Sequence, residues 1–137
     1  MTNPVLLELL ARIVGAENIL RVAADMAPYL TDWRGRYRGT AQCVVRPGSS
    51  AEVAAVVKLC GEAGVPIVPQ GGNTSLCGAA TPDAAGQAVL ISLSRLNRVL
   101  TVDPKNNTIS VEAGCTLAAV QEAARAAGRL FPLALAS

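Results

Sequence analysis

Apolar positions along this chain change their spacing several times, and each change marks an element. Leu6, Leu7, Leu10 and Ile13 recur at helical intervals, with Asn3 as a cap, Pro4 in the first turn and Gly15 as a stop. Residues 18 to 30 are predicted as a second, weaker helical piece, so that 1–30 form an N-terminal helical segment. The stretch from Thr31 to Thr40, broken by Gly35 and Gly39, reads as an extended loop. Ala41 to Arg46 is a short strand closed by Pro47-Gly48. Ser49 and Glu52 then form an S-x-x-E capping box, and Val53, Val56, Val57 and Cys60 follow as one buried helical stripe ended by Gly64. Val65 to Val68 is a second strand. Strand, helix and strand in this compass make a βαβ unit with parallel strands.

Beyond it, Val89 to Leu93 is a third buried strand. Val99 to Val102 and Thr108 to Glu112 form a hairpin around Asp103-Pro104-Lys105-Asn106-Asn107, its second arm alternating apolar and polar. Thr116 caps a further helix with Leu117, Val120 and Ala124 inward and Gly128 as its stop. Leu130 and Phe131 open an extended piece, and Leu133 to Ser137 form an apolar tail that suggests a lead-in to further structure. The fold class is therefore α/β (α+β): a small parallel βαβ core with packed helices plus an antiparallel hairpin. Residues 31–137 form its main unit. Apolar hairpin edges at Val99 to Glu112, and the tail, point to self-association as a homodimer.

Composition narrows the function. With 51% hydrophobic residues and 16% charged, the chain is a folding sequence rather than a disordered one. The net charge of +2 is too small to indicate nucleic acid as a partner, although Trp33-Arg34-Gly35-Arg36-Tyr37-Arg38 is a local basic, aromatic cluster. Histidine is absent, which removes the usual general base and the commonest metal ligand. Cys43, Cys60, Cys77 and Cys115 lack metal or redox spacing and fit reduced thiols in a cytoplasmic setting. Cys77 is the one to test for reactivity. No apolar run is long enough to span a membrane.

The one stretch built to meet a ligand is Pro69-Gln70-Gly71-Gly72-Asn73-Thr74-Ser75-Leu76, at the carboxyl end of the second strand. Gly71 and Gly72 permit positive φ and close approach, Asn73 tolerates the left-handed region, and Thr74 and Ser75 add hydroxyl donors. Successive amides here can form an anion-binding nest. Lys and Arg are absent between Lys58 and Arg95, so an anion would be held by backbone dipoles and hydroxyls. Neither a P-loop nor a Rossmann fingerprint is present. On residue chemistry alone a tight Gly-Gly turn without a ligand fits equally well.

Tyr37-Arg38-Gly39, Val45-Arg46-Pro47-Gly48-Ser49, Pro69 to Thr74, Leu96-Asn97-Arg98, Glu112-Ala113-Gly114 and Phe131-Pro132-Leu133, in this order, resemble the N-terminal part of the FAD-linked oxidases. These share the flavin-binding fold of vanillyl-alcohol oxidase and p-cresol methylhydroxylase (PCMH). Within them the chain is most similar to the D-2-hydroxy-acid dehydrogenases, acting on hydroxyglutarate, lactate or glycolate. The resemblance covers Thr31 to Ser137 and implies the first half of a PCMH-type FAD-binding domain, with the remainder and the substrate domain outside this sequence. It implies that Gln70, Gly71, Gly72, Asn73, Thr74, Ser75 and Leu76 line the FAD pyrophosphate, that Gly114 and Pro132 approach the flavin, and that catalytic and metal-binding residues lie elsewhere in the family's longer chains. Ser75 stands where Gly is usual, so it either keeps φ below zero or is strained. Cys77 and Ala134 replace a usual aliphatic residue and a usual Asp. Two other readings stay open: a non-catalytic phosphate- or nucleotide-binding module, and a flavin-free structural subunit.

Overall fold

In the computed structural model of the chain, residues 4–134 are described. Helix α1 (Pro4–Val14) is followed by a 3-10 turn (Ala16–Asn18), strand β1 (Ile19–Leu20), the short helix α2 (Ala23–Met26) and a second 3-10 turn (Ala27–Tyr29). Then come β2 (Cys43–Val45), α3 (Ser50–Glu62), β3 (Ile67–Gln70), β4 (Val89–Ser92), the hairpin β5 (Val99–Asp103) and β6 (Thr108–Val111), and α4 (Leu117–Ala126). The expected cap Asn3 and the tail residues Leu135 to Ser137 lie outside the described residues.

β1 corrects the start of the helical reading of residues 18 to 30, whose later part is helical as α2 and the second 3-10 turn. Asn18 is buried and its Nδ2 donates to the Val14 carbonyl at 2.7 Å, while its own carbonyl accepts from Arg46 N–H at 2.9 Å. That pair of bonds ends α1 and lays Ile19 and Leu20 antiparallel against Val45 and Val44. Two residues are too few for periodicity to reveal a strand.

The main sheet has the order β1-β2-β4-β3. β2 and β3 are parallel, as the βαβ pattern predicts, but each pairs with β4, which lies between them. Both faces of β2 and β4 are covered. Cys43, Val45, Val89 and Ile91 join Leu6, Leu7, Leu10 and Val14 of α1 and Val56 and Cys60 of α3 in one core. Val44 and Leu90 point the other way, onto Met26, Leu20, Tyr29 and Leu30. Burial on two faces explains why these strands are unbroken apolar runs rather than alternating ones. Each fully buried aliphatic side chain contributes roughly 1.5–3 kcal/mol.

α3 begins as predicted, with Ser49 Oγ accepting from Glu52 N–H at 3.2 Å. The returning carboxylate, however, accepts from Gly48 N–H at 2.8 Å. The buried stripe is narrower than predicted: Val57 is 40% exposed, and Leu59 packs against the core instead. The hairpin forms a separate two-stranded sheet with an irregularity between Val99 and Thr101, and α4 packs on it through Val120 and Ala124.

The parallel pairing of β3 and β4 forces the chain to travel back along the strand. It does so through residues 71–88, with no helix or strand of their own. Crossovers of this length without secondary structure are uncommon and usually functional.

Candidate cofactor site

The crossover starts at Gln70. Its side chain is only 3% exposed and turns inward, Nε2 donating to the carbonyls of Tyr29 at 2.9 Å and Ala80 at 2.8 Å. Asn73 takes φ +55°, the left-handed region expected for it, and its Nδ2 donates to the Thr31 carbonyl at 2.8 Å and more weakly to Pro28 at 3.4 Å. These two side chains hold the loop from behind rather than offering themselves to its open side.

The backbone between and beyond these anchors is unspent. Among the described residues, no other residue accepts from the N–H groups of residues 71–78, and only Cys77 N–H meets an acceptor, its own Sγ. Buried backbone donors are nearly always paired; this loop is mostly exposed, so its amides are open to water or to a ligand. Ser75 Oγ accepts from Ala79 N–H at 3.2 Å and lies 3.5 Å from Cys77 Sγ. Thr74 and Leu76 stand exposed, Leu76 at 60%.

Gly71 and Gly72 do not use their freedom of φ; neither is in the left-handed region. Ser75 is not there either, so its replacement of glycine carries no strain. What the two glycines provide is space. A Cβ on Gly71 would meet nothing within 4 Å, and one on Gly72 only Thr74 Cγ2 at 3.7 Å. Both residues border a cleft of about 430 Å³ whose other walls are Ser94, Asn97, Gly114, Thr116 and Ala119. None of these seven residues is charged. Gly114 is required by its own neighbours: its N–H donates to Leu96 at 2.8 Å, and a Cβ would stand 1.9 Å from the Leu93 carbonyl oxygen.

The structure thus brings Gly71, Gly72 and Gly114 to one cleft, with Gln70 and Asn73 behind the loop. Pro132 is exposed and does not line the cleft. Ser94, Asn97 and Thr116 are the wall residues that sequence reasoning missed. Thr116 was visible there only as the α4 cap, which it is, accepting from Ala119 N–H at 3.3 Å. Asn97 stands in the Leu96-Asn97-Arg98 motif.

An uncharged cleft rimmed by free amides and a helix N-terminus suits a diffuse polyanion such as a pyrophosphate. A Cβ at Gly71 or Gly72 would project into open space, room that a dinucleotide backbone could occupy. FAD fits this donor set.

The sequence matches the family described as FAD binding domain over residues 41–137. It is 37% identical over 137 residues to a D-2-hydroxyglutarate dehydrogenase of Xanthomonas citri pv. viticola, covering 100% of this chain and 28% of that one. It is 36% identical over 123 residues to a probable mitochondrial D-2-hydroxyglutarate dehydrogenase of rice (Oryza sativa subsp. indica), covering 90% and 22%. The chain therefore spans about a quarter of the length of the curated relatives it matches. Among solved structures, p-cresol methylhydroxylase superposes with a TM-score of 0.76 at 24% identity over 90% of this chain and 24% of that one, a likeness of fold. Among the described residues no helix is long and apolar enough to cross a membrane. Matched over most of its length, with a lysine-free donor loop at the carboxyl edge of its parallel sheet, the chain belongs to the FAD-binding domain family, and its cofactor is FAD.

Proposed function

We propose that the loop from Gln70 to Leu76 holds the pyrophosphate of FAD, and that the whole protein oxidises a D-2-hydroxy acid of the hydroxyglutarate, lactate or glycolate type. The observation that carries this is the run of N–H groups at residues 71–78 from which no other residue accepts. In this reading Gly71 and Gly72 let the phosphates approach the backbone, Thr74 and Ser75 offer hydroxyls, and Leu76 lies along the ligand's edge. Gln70 and Asn73 keep the loop in shape, and Gly114 forms the opposite wall. Pro132 is the member of the set without contact to the cleft, and its place beside the flavin rests on family resemblance alone. When bound, FAD supplies a two-electron acceptor for the hydride leaving the substrate α-carbon; this chain's residues bind and orient it.

The substrate class is supported by the hydroxyglutarate dehydrogenases among the relatives. We assign residues 31–137 to the FAD-binding unit, with 1–30 as a segment packed on it. A homodimer through the hairpin edge is supported by exposed Val99 and Leu100, at 38% and 58%. Four free thiols fit a cytoplasmic setting, although the rice relative is named mitochondrial.

Calorimetry of the chain with FAD, ADP and inorganic phosphate tests the site. FAD should bind more tightly than ADP, and Gly72→Leu should weaken it by at least about tenfold, since a branched side chain fills the approach to the amides. ADP bound as well as FAD, or a Gly72→Leu variant that binds like the wild type, would overturn the assignment.

A further inference from the structure

Asp32 is a buried carboxylate, at 5% exposure. Among the described residues it forms no salt bridge, although the charge and the backbone N–H of Arg36 also favour its ionised form. Its Oδ1 accepts from Tyr37 N–H at 2.7 Å and its Oδ2 from Arg34 N–H at 3.2 Å. Its own N–H donates to the Tyr37 carbonyl at 3.0 Å, and its carbonyl accepts from Gly35 N–H at 2.9 Å. One residue thus closes the 32–37 loop from within. Burying a carboxylate is costly unless it is fully hydrogen-bonded, so the closure has to matter to something beyond the loop.

What it matters to is the donor loop. Thr31, next to Asp32, carries Asn73 on its carbonyl, and Tyr29 carries Gln70. The Tyr37 ring lies against Gly78 so closely that a Cβ there would be 2.7 Å from it. Gly39 passes so near Pro82 that a Cβ would stand 1.8 Å from its carbonyl oxygen, and Thr40 N–H donates to Asp83 at 2.8 Å. Residues 28–40 therefore grip the crossover at Gln70, Asn73, Gly78 and Pro82. A loop free of these anchors has its own carbonyls as competing acceptors for its amides. Held from outside, it keeps those amides available, and the ordering cost is met before the ligand arrives.

We propose that Asp32 is a positioning residue for FAD: it locks the 32–37 loop, which through Thr31 and Tyr37 holds residues 73–78 with their N–H groups open. The inference rests on the reading that this loop receives the FAD pyrophosphate. The test is FAD affinity of the full chain, measured by titration at a temperature where circular dichroism shows every variant folded. Asp32→Asn should weaken FAD by about tenfold, the loss expected when hydrogen bonds to a charged group are removed. Trp33, the chain's single tryptophan, with Arg34 4.7 Å above its ring, should lose fluorescence anisotropy in the same variant. Because Asp32 acts through the Thr31–Asn73 link, Asp32→Asn should cost less affinity in an Asn73→Ala background than in the wild type. Tyr37→Ala, which spares the N–H that Asp32 accepts but removes the ring from Gly78, should also weaken FAD and serves if Asp32→Asn does not fold. Wild-type affinity in both variants, or effects that simply add with Asn73→Ala, would overturn the positioning role while leaving the FAD reading intact. A whole wild-type protein without FAD affinity would overturn that reading and this inference with it.

Discussion

Four cysteines occupy three different environments. Cys43 sits in the core with no exposure, and burial pushes its thiol up to about 12. Cys60 is raised for the same reason. Cys77 is exposed, and its thiol lies below the ordinary value, because Ser75 Oγ and then the Ala79 N–H stabilise the thiolate. Cys115 donates to the Arg98 carbonyl at 3.3 Å. The thiolate is the nucleophile, so iodoacetamide at pH 7.5 should alkylate Cys77 first, with Cys43 and Cys60 reacting only after unfolding. Peptide mass mapping over time checks this, and equal labelling of Cys77 and Cys43 in the folded chain would contradict it. Because Cys77 lies within the donor loop, saturating FAD should slow its labelling. Its side-chain chemistry was legible in the sequence, but its exposure was not, since that depends on how 71–78 is held.

At the scale of elements, the hairpin is fastened at its base by one carboxylate. Glu112 accepts from Arg98 N–H at 2.9 Å and from Arg98 Nε and Nη2 at 3.1 and 2.6 Å. Its side chain is 8% exposed, whereas that of Arg98 is 70% exposed. The backbone runs with it, Glu112 N–H donating to the Arg98 carbonyl at 2.9 Å. These bonds, Arg98 first, hold the Glu112 carboxyl below its ordinary 4.5. A carboxyl lowered in the folded state adds stability above its unfolded value and loses it as the pH falls through the folded one. Glu112→Gln should therefore lower the urea midpoint at pH 7, and the gap to the wild type should narrow below pH 4.5 and close further toward pH 3. Midpoints measured across that range decide it; a gap independent of pH would remove Glu112 as its source. The strands themselves were readable from alternation at Ile109 and Val111. The clamp was not, because charge pairs thirteen or more residues apart leave no periodic trace.

For the molecule as a whole, the four-stranded sheet is covered on both faces, whereas among the described residues the hairpin sheet packs chiefly against α4. Leu100, 58% exposed, and Val99 mark its bare edge, and unpaired strand edges with apolar side chains invite pairing. Sedimentation of the chain at rising concentration should show reversible association, reduced by Leu100→Lys. A monomer at every concentration would argue against an interface there. The N-terminal segment belongs to this scale too. α1 contributes Leu6, Leu7, Leu10 and Val14 to the core shared with β2, β4 and α3, so what periodicity marks as a separate helical segment packs on the sheet itself.

Local chemistry along the chain determined the helices that carry strong stripes and caps, the apolar strands, and the glycine-rich bend after β3, because capping, periodicity and turn residues act within a few positions of one another. It also determined that any anion at the bend is met without lysine. Tertiary structure alone decided that β4 inserts between β2 and β3, that Ile19 and Leu20 become a strand, and that Ser94, Asn97 and Thr116 face Gly71 and Gly72 across a cleft. It decided, too, that Gln70 and Asn73 turn away from that cleft to the carbonyls of residues 28–31. Those outcomes depend on which distant backbone groups are left over once the core has packed, and no short-range pattern records that remainder.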